Sequence, residues 1–157
     1  MTLRTQFEHE LNQLTAGGPA TVDTTAGDRR LTCELLESNS LAVALQFLRV
    51  ATSELASASS DKLEQMAKAL SSRLTYLMEP IRPIEIDADA CVAQLRSSPP
   101  QRDDDGRSYY ELTVRRGGEI ALARYRKESG KPREQIAAHV TREVLLRLAD
   151  DFEAVLG

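Results

Sequence analysis

Three features of the sequence predict an α+β domain, with a mainly antiparallel sheet of about five to seven strands and three helices packed on it. Amphipathic helical stripes stand at both ends and in the middle of the chain, and alternating apolar segments run between them. Gly117-Gly118 separates two such segments as the turn of a hairpin would. Strands grouped in runs cannot all be joined by βαβ crossovers, so most sheet neighbours must be antiparallel. The 157 residues fit one domain, 1–157, and a chain of that size buries roughly two-thirds of its unfolded surface in one core.

Thr2 to Leu14 reads as the first helix, with Leu3, Phe7, Leu11 and Leu14 on one stripe, Thr2 as cap and Gly17-Gly18 as stop. Pro19 to Val50 reads as extended. Ala20 to Thr24 is a strand, Ala26-Gly27-Asp28 a turn, and Leu31 to Glu37 pairs with Leu41 to Val50 across Ser38-Asn39-Ser40. In the last segment Leu41, Val43, Leu45 and Phe47 alternate as a strand requires, while Leu41, Leu45 and Leu48 also suit a helix. Strand is the better reading, because Leu31 to Glu37 needs a backbone partner.

Asp61 to Leu77 is the clearest helix, with Leu63, Met66, Leu70, Leu74 and Leu77 on its apolar face, a capping box from Asp61 and Glu64, and Pro80 and Pro83 beyond its end. Pro83 to Asp87 and Ala90 to Ser97 flank a turn at Asp87-Ala88-Asp89, and Ser98 to Gly106 has the composition of a mobile loop. Ser108 to Arg116 and Glu119 to Lys127 form the hairpin. Pairing outward from the glycines sets Arg116 opposite Glu119, Val114 opposite Ala121, Leu112 opposite Ala123 and Tyr110 opposite Tyr125 on the core face. Thr113 with Leu122, and an ion pair of Glu111 with Arg124, then occupy the other face. The last helix carries Val144, Leu145, Leu148, Phe152 and Val155, with Thr141 as cap or a start as early as Arg133.

Composition narrows the function classes. At 41% hydrophobic and 28% charged residues the chain is an ordinary globular one, and with 4% aromatics and no Trp its core must be aliphatic. Cys33 and Cys91 are too few for a disulfide framework and read as buried free thiols. Glu8, His9 and Glu10 interrupt any apolar region in Met1 to Asn12, which excludes a signal peptide there, and no apolar stretch approaches the ~18 residues of a membrane span. A cytoplasmic protein is expected.

No catalytic apparatus stands out. Glu85, Asp87 and Asp89 alternate, as carboxylates sharing a hard cation would on a continuous strand, but a turn at Asp87 breaks that alternation. Asp103-Asp104-Asp105-Gly106 would place Leu112 where a calcium loop needs a bidentate Glu. His9 and His139 lie at opposite ends of the chain without zincin spacing, no nucleophile elbow occurs, and neither phosphate-loop glycine pattern is present. No metal or cofactor is expected.

The most suggestive segment is basic. Between Arg107 and Arg133 lie eight cations and three anions, a local charge of +5 in a chain whose total is −4, which leaves −9 for the rest. Three of the four tyrosines, Tyr109, Tyr110 and Tyr125, lie there too. Arg115, Arg116, Arg124, Arg126 and Tyr109 are the candidate binding residues, since arginine and tyrosine on an exposed sheet face can hold phosphates, stack bases or anchor a protein partner. The plain alternative is that these cations keep the hairpin soluble.

The order helix, strands, helix, strands, helix, together with small size and acidic balance, resembles that of the small dimeric type III secretion chaperones. The resemblance rests on element order across most of the chain, from which the second-half hairpin departs. It implies a dimer that wraps an extended client segment. The expected function is a non-enzymatic protein-interaction or chaperone-like domain, binding a protein partner or itself, with nucleic-acid binding through the basic hairpin as the alternative.

Overall fold

A computed structural model describes residues 2–14 and 17–157. The chain runs α1 (Leu3–Asn12), β1 (Ala20–Ala26), β2 (Arg29–Ser38), β3 (Ala42–Thr52), α2 (Ser60–Arg73), β4 (Ile81–Asp87), β5 (Val92–Ser97), β6 (Gln101–Arg102), β7 (Gly106–Arg115), β8 (Glu119–Glu128), β9 (Glu134–Ile136), β10 (Ala138–Thr141) and α3 (Arg142–Leu156). The α+β class with a mainly antiparallel sheet and three helices holds, with more strands than expected. One ten-stranded sheet follows the order β1-β2-β3-β8-β7-β5-β4, to which β6, β9 and β10 add short pairings.

Alternation decides which face is buried. Leu31, Cys33 and Leu35 of β2, Leu112 and Val114 of β7, Ile120 and Leu122 of β8, and Ala93 and Leu95 of β5 enter one core. The three helices close that core with Leu3 and Phe7, with Leu63, Met66 and Leu70, and with Leu145, Leu148 and Phe152. The 41–50 segment is strand, and its double periodicity has a cause. Leu35 faces Leu45 while Glu34 faces Phe47, so Gln46 is an extra residue and the alternation changes phase there. Val43 and Leu45 point inward before the bulge, Leu48 and Val50 after it.

Several boundaries correct the expectation. Thr2 does cap α1, accepting from the Thr5 amide, but the helix ends at Asn12 rather than at the glycines. The link from Leu14 to Gly17 includes Thr15 and Ala16, which with Met1 lie outside the described residues. Gly17 instead bridges to Ser38. Ser59, not Asp61, caps α2, accepting from the Lys62 amide, and α2 stops at Arg73. Leu74 and Leu77 stay buried beyond its end, so burial continued the apolar stripe where the helix did not. Ser98 to Gly106 is no plain loop: β6 pairs with Arg107 and Ser108 of β7.

The hairpin register is the largest correction. Arg115, not Arg116, faces Glu119, because Arg116-Gly117-Gly118 forms a three-residue loop with Gly118 at φ 97°. One residue of slip exchanges the two faces of β8 against those of β7. Val114 now faces Ile120, Leu112 faces Leu122, and Tyr110 faces Arg124, all toward the helices, while Glu111 and Tyr109 lie on the open face with Ala123 and Tyr125. The expected Glu111–Arg124 pair therefore does not exist. Finally, 133–141 is extended rather than helical. β8 pairs with β3 only as far as Leu122; β9 then lines Arg124 to Arg126 of β8, and β10 lines Ala42 to Leu45 of β3.

Candidate functional site

The five basic-hairpin residues do not form one surface. Arg115 and Arg116 are exposed near the turn, where Arg116 Nε donates to the Ala58 carbonyl at 2.7 Å. Arg126 is committed to Asp103, with Nη1 and Nη2 donating to its two carboxylate oxygens at 2.8 and 2.9 Å. Asp103 also accepts from the Asp105 and Gly106 amides, so the acidic tract is a side-chain-closed turn. Arg126, then those two amides, hold the Asp103 carboxyl well below the usual range, and Asp103 in turn raises the Arg126 pKa.

Arg124 and Tyr109 are buried, on opposite faces. On the helix side Arg124 is 8% exposed, stacks over the Tyr110 ring at 4.5 Å, and donates through Nη2 to Glu79 at 3.1 Å. Glu79 also accepts from the Ser97 hydroxyl at 2.7 Å. Burial pushes the Tyr110 hydroxyl pKa up. On the open side Glu111, 5% exposed, accepts from Arg133 at 2.6 Å, from Arg96 at 3.3 Å and from the Gln94 amide. The same two guanidiniums cover the tyrosines, Arg96 over Tyr109 at 4.5 Å and Arg133 over Tyr125 at 3.9 Å. Tyrosine faces that carry an arginine are not free platforms for a base.

Sequence reasoning missed Glu79, Arg96 and the role of Glu111. The usable signal was Arg124 itself. It falls in phase with the inward Ile120 and Leu122 once the hairpin loop has three residues, and an inward arginine demands a buried acid.

The remaining candidates stand apart. Glu85 is exposed on β4, and Asp87 closes its turn by accepting from the Asp89 and Ala90 amides at 3.1 and 3.0 Å. His9 hydrogen-bonds Gln13 at 3.0 Å, and His139 is exposed on β10. Among the described residues no group of three or more His, Cys, Asp and Glu side chains could hold a metal ion. Cys33 and Cys91 are free and buried, and burial pushes the Cys33 thiol up to about 12. No helix among the described residues is long and apolar enough to cross a membrane.

What the fold leaves open is main chain. β1 ends the sheet, and its outer edge has no partner strand among the described residues. Its seven residues pair with β2 from Ala20↔Leu35 to Ala26↔Arg29 without a register shift. They include no proline, lysine or arginine, and their one charge, Asp23, is tied to Arg30. Such a row of free N–H and C=O groups is a template for another strand. Against this geometry, comparison of the chain with protein-family models, with curated proteins and with solved structures found no match.

Proposed function

We propose that the chain is a non-enzymatic, chaperone-like protein-binding domain that takes an extended client segment as an added strand on the outer edge of β1. The observation that carries this reading is the unbroken, unguarded register of Ala20–Ala26 at the end of the sheet. Main-chain pairing supplies affinity there without demanding one client sequence. The order of helices and strands, which resembles that of the small dimeric type III secretion chaperones, supports a dimer that holds an extended client. The two free buried cysteines suit a reducing compartment, and we place the protein in the cytoplasm.

Exposed large apolar residues are scattered, Leu41 in the β2–β3 turn, Met78 before β4 and Ile84 on β4, so a broad greasy contact has less support than strand addition. Of its five candidate residues the nucleic-acid alternative keeps Arg115 and Arg116 exposed and without an acidic partner among the described residues, since Arg124 and Tyr109 are buried and Arg126 is paired with Asp103. Retardation of mixed oligonucleotides at low salt, abolished in R115A/R116A, would favour it over protein binding.

The test places lysines on the exposed β1 residues Thr21 and Thr25. Client capture by the T21K/T25K variant should fall at least tenfold, while Ile84→Lys on β4 should leave it unchanged. Light scattering after size exclusion reports whether the same edge also joins two copies. Equal capture by wild type and T21K/T25K would refute strand addition at β1.

A further inference from the structure

We propose that the cavity between the α2–β4 connection, the Pro99-Pro100 turn and β8 binds an uncharged apolar amide, a peptide unit with its side chain, through the Tyr110 hydroxyl beside the Arg124–Glu79 pair. The cavity holds about 600 Å³, within the range of ordinary ligand sites. Leu77, Met78, Pro99 and Pro100 supply an apolar rim, and Tyr110, Arg124 and Glu79 the polar floor.

The sequence placed an arginine where β8 should offer a third inward aliphatic residue after Ile120 and Leu122. Glu79 Oε2 and the Gln101 side-chain oxygen Oε1, at 3.1 and 3.3 Å, both accept from Nη2. Nη1 is sealed from bulk water and has no acceptor. Only the Tyr110 ring lies beneath the guanidinium, and an aromatic face is a poorer acceptor than oxygen. The Tyr110 hydroxyl, for its part, has no hydrogen-bond partner among the described side chains, and Glu79 and Arg124 act on it only through charge. Buried donors in native proteins are met with few exceptions, so the hydroxyl of Tyr110, a residue 6% exposed that lines the cavity, marks a place for an oxygen from outside, with the Arg124 guanidinium stacked over its ring.

Charge selects the kind of oxygen. Arg124 and Glu79 already neutralise each other, and His139 at the margin is exposed. A ligand carboxylate at the Tyr110 hydroxyl would feel the nearby Glu79 carboxylate, while an amide carbonyl meets the hydroxyl without adding charge. The rim selects the rest of the ligand. Met78 is 96% exposed at φ 67°, a left-handed conformation unusual for a side-chain-bearing residue, and its flexible thioether can close over an apolar group.

This cavity opens beside β8, three strands from β1 in the sheet order. Its failure would leave strand addition at β1 standing, because that reading rests on the main chain of Ala20–Ala26.

The test uses protein labelled with ¹³C at the methionine methyls and N-acetyl-leucine N-methylamide as probe. Of the three methionines, Met78 lies on the rim and Met66 in the core. The Met78 methyl resonance should shift saturably while that of Met66 stays in place. Tyr110→Phe keeps the ring under Arg124 and removes one donor, so affinity should fall about threefold to tenfold. N-acetyl-leucine, which carries a free carboxylate, should bind at least tenfold more weakly. Absence of a saturable Met78 shift, unchanged affinity in Y110F, or equal or tighter binding of the carboxylate would each overturn the proposal.

Discussion

β1 meets solvent with seven residues in unbroken pairing to β2, whereas β4, at the other end of the same sheet, meets it with Pro83 and a register shift between Pro83 and Glu85. Proline removes a ladder donor and a bulge twists the edge away, which are two of the devices by which sheets refuse further strands. The interiors behind the edges differ as well. Behind β1 lie Leu31, Cys33 and Leu35 against Phe7 and Leu11 of α1, an all-apolar packing. Behind β4 lie Ile81, Ala93 and Leu95 against Leu63, Met66 and Leu70 of α2, and on that flank two ion-paired networks are buried as well, Arg124 with Glu79 and Ser97 on the helix side and Arg96 with Glu111 on the open side. The guarded edge goes with the buried Glu79–Arg124 and Glu111–Arg96 pairs, and the open edge with the apolar packing behind β1.

The seam between the flanks should be the most sensitive point. A Cβ on Gly118 would lie 2.1 Å from the Thr52 carbonyl oxygen, at φ 97°, where the Thr52 amide donates to the Gly118 carbonyl at 2.7 Å. Gly118→Ala should cost about 3 kcal/mol or more in urea unfolding and loosen both flanks together. On the β4 flank, Glu111→Ala strands Arg96 and Arg133, both partly hydrated, and should cost about 2 kcal/mol. Client binding at β1 should survive that change.

The third expectation concerns alkaline pH and the β1 flank. The folded Cys33 thiol titrates near 12 against an ordinary 9.0, because it is buried. Its raised folded value means that its contribution is complete below pH 9 and is lost as pH rises from 9 toward 12, since the unfolded thiol ionises first. Melting temperature should therefore fall faster from pH 9 to 11 in wild type than in Cys33→Val. Parallel slopes would place the thiol in water. The smallest effect on stability is expected at the edges themselves, where T21K/T25K and I84K should each stay within about 0.5 kcal/mol of wild type in urea unfolding. Equal stability makes their predicted difference in client capture a statement about edges alone.

Much of this contrast was legible in the sequence, and what was not has physical reasons. Alternation of Leu31, Cys33 and Leu35 marked β2, and the leucine stripe Leu63 to Leu70 marked α2, because one face of each is buried. The bulge at Gln46 was visible only as ambiguity, since a phase change in a period of two looks like a period nearer four. The hairpin was found but slipped by one, because Gly117-Gly118 suits a two-residue turn as well as the last two positions of a three-residue one. That single residue hid the site. It turned Arg124 inward to Glu79 and left Glu111 to pair with Arg133 and Arg96, and made buried groups of two residues expected on an exposed face. Short strands such as β9 carry too few residues to show a period, so 133–141 resembled a helix approach. The open edge of β1 leaves no mark in sequence, because strand order is a property of the assembled sheet.

Hydrogen exchange of the β1 amides, read residue by residue in the free protein and with a captured client, tests the account most directly. In the free protein the amides of Ala20–Ala26 directed at β2 should exchange slowly and those directed outward quickly, and the client should slow the outward set while β4 is unaffected. Uniformly slow β1 exchange without a client, or outward amides that stay fast with one bound, would contradict it.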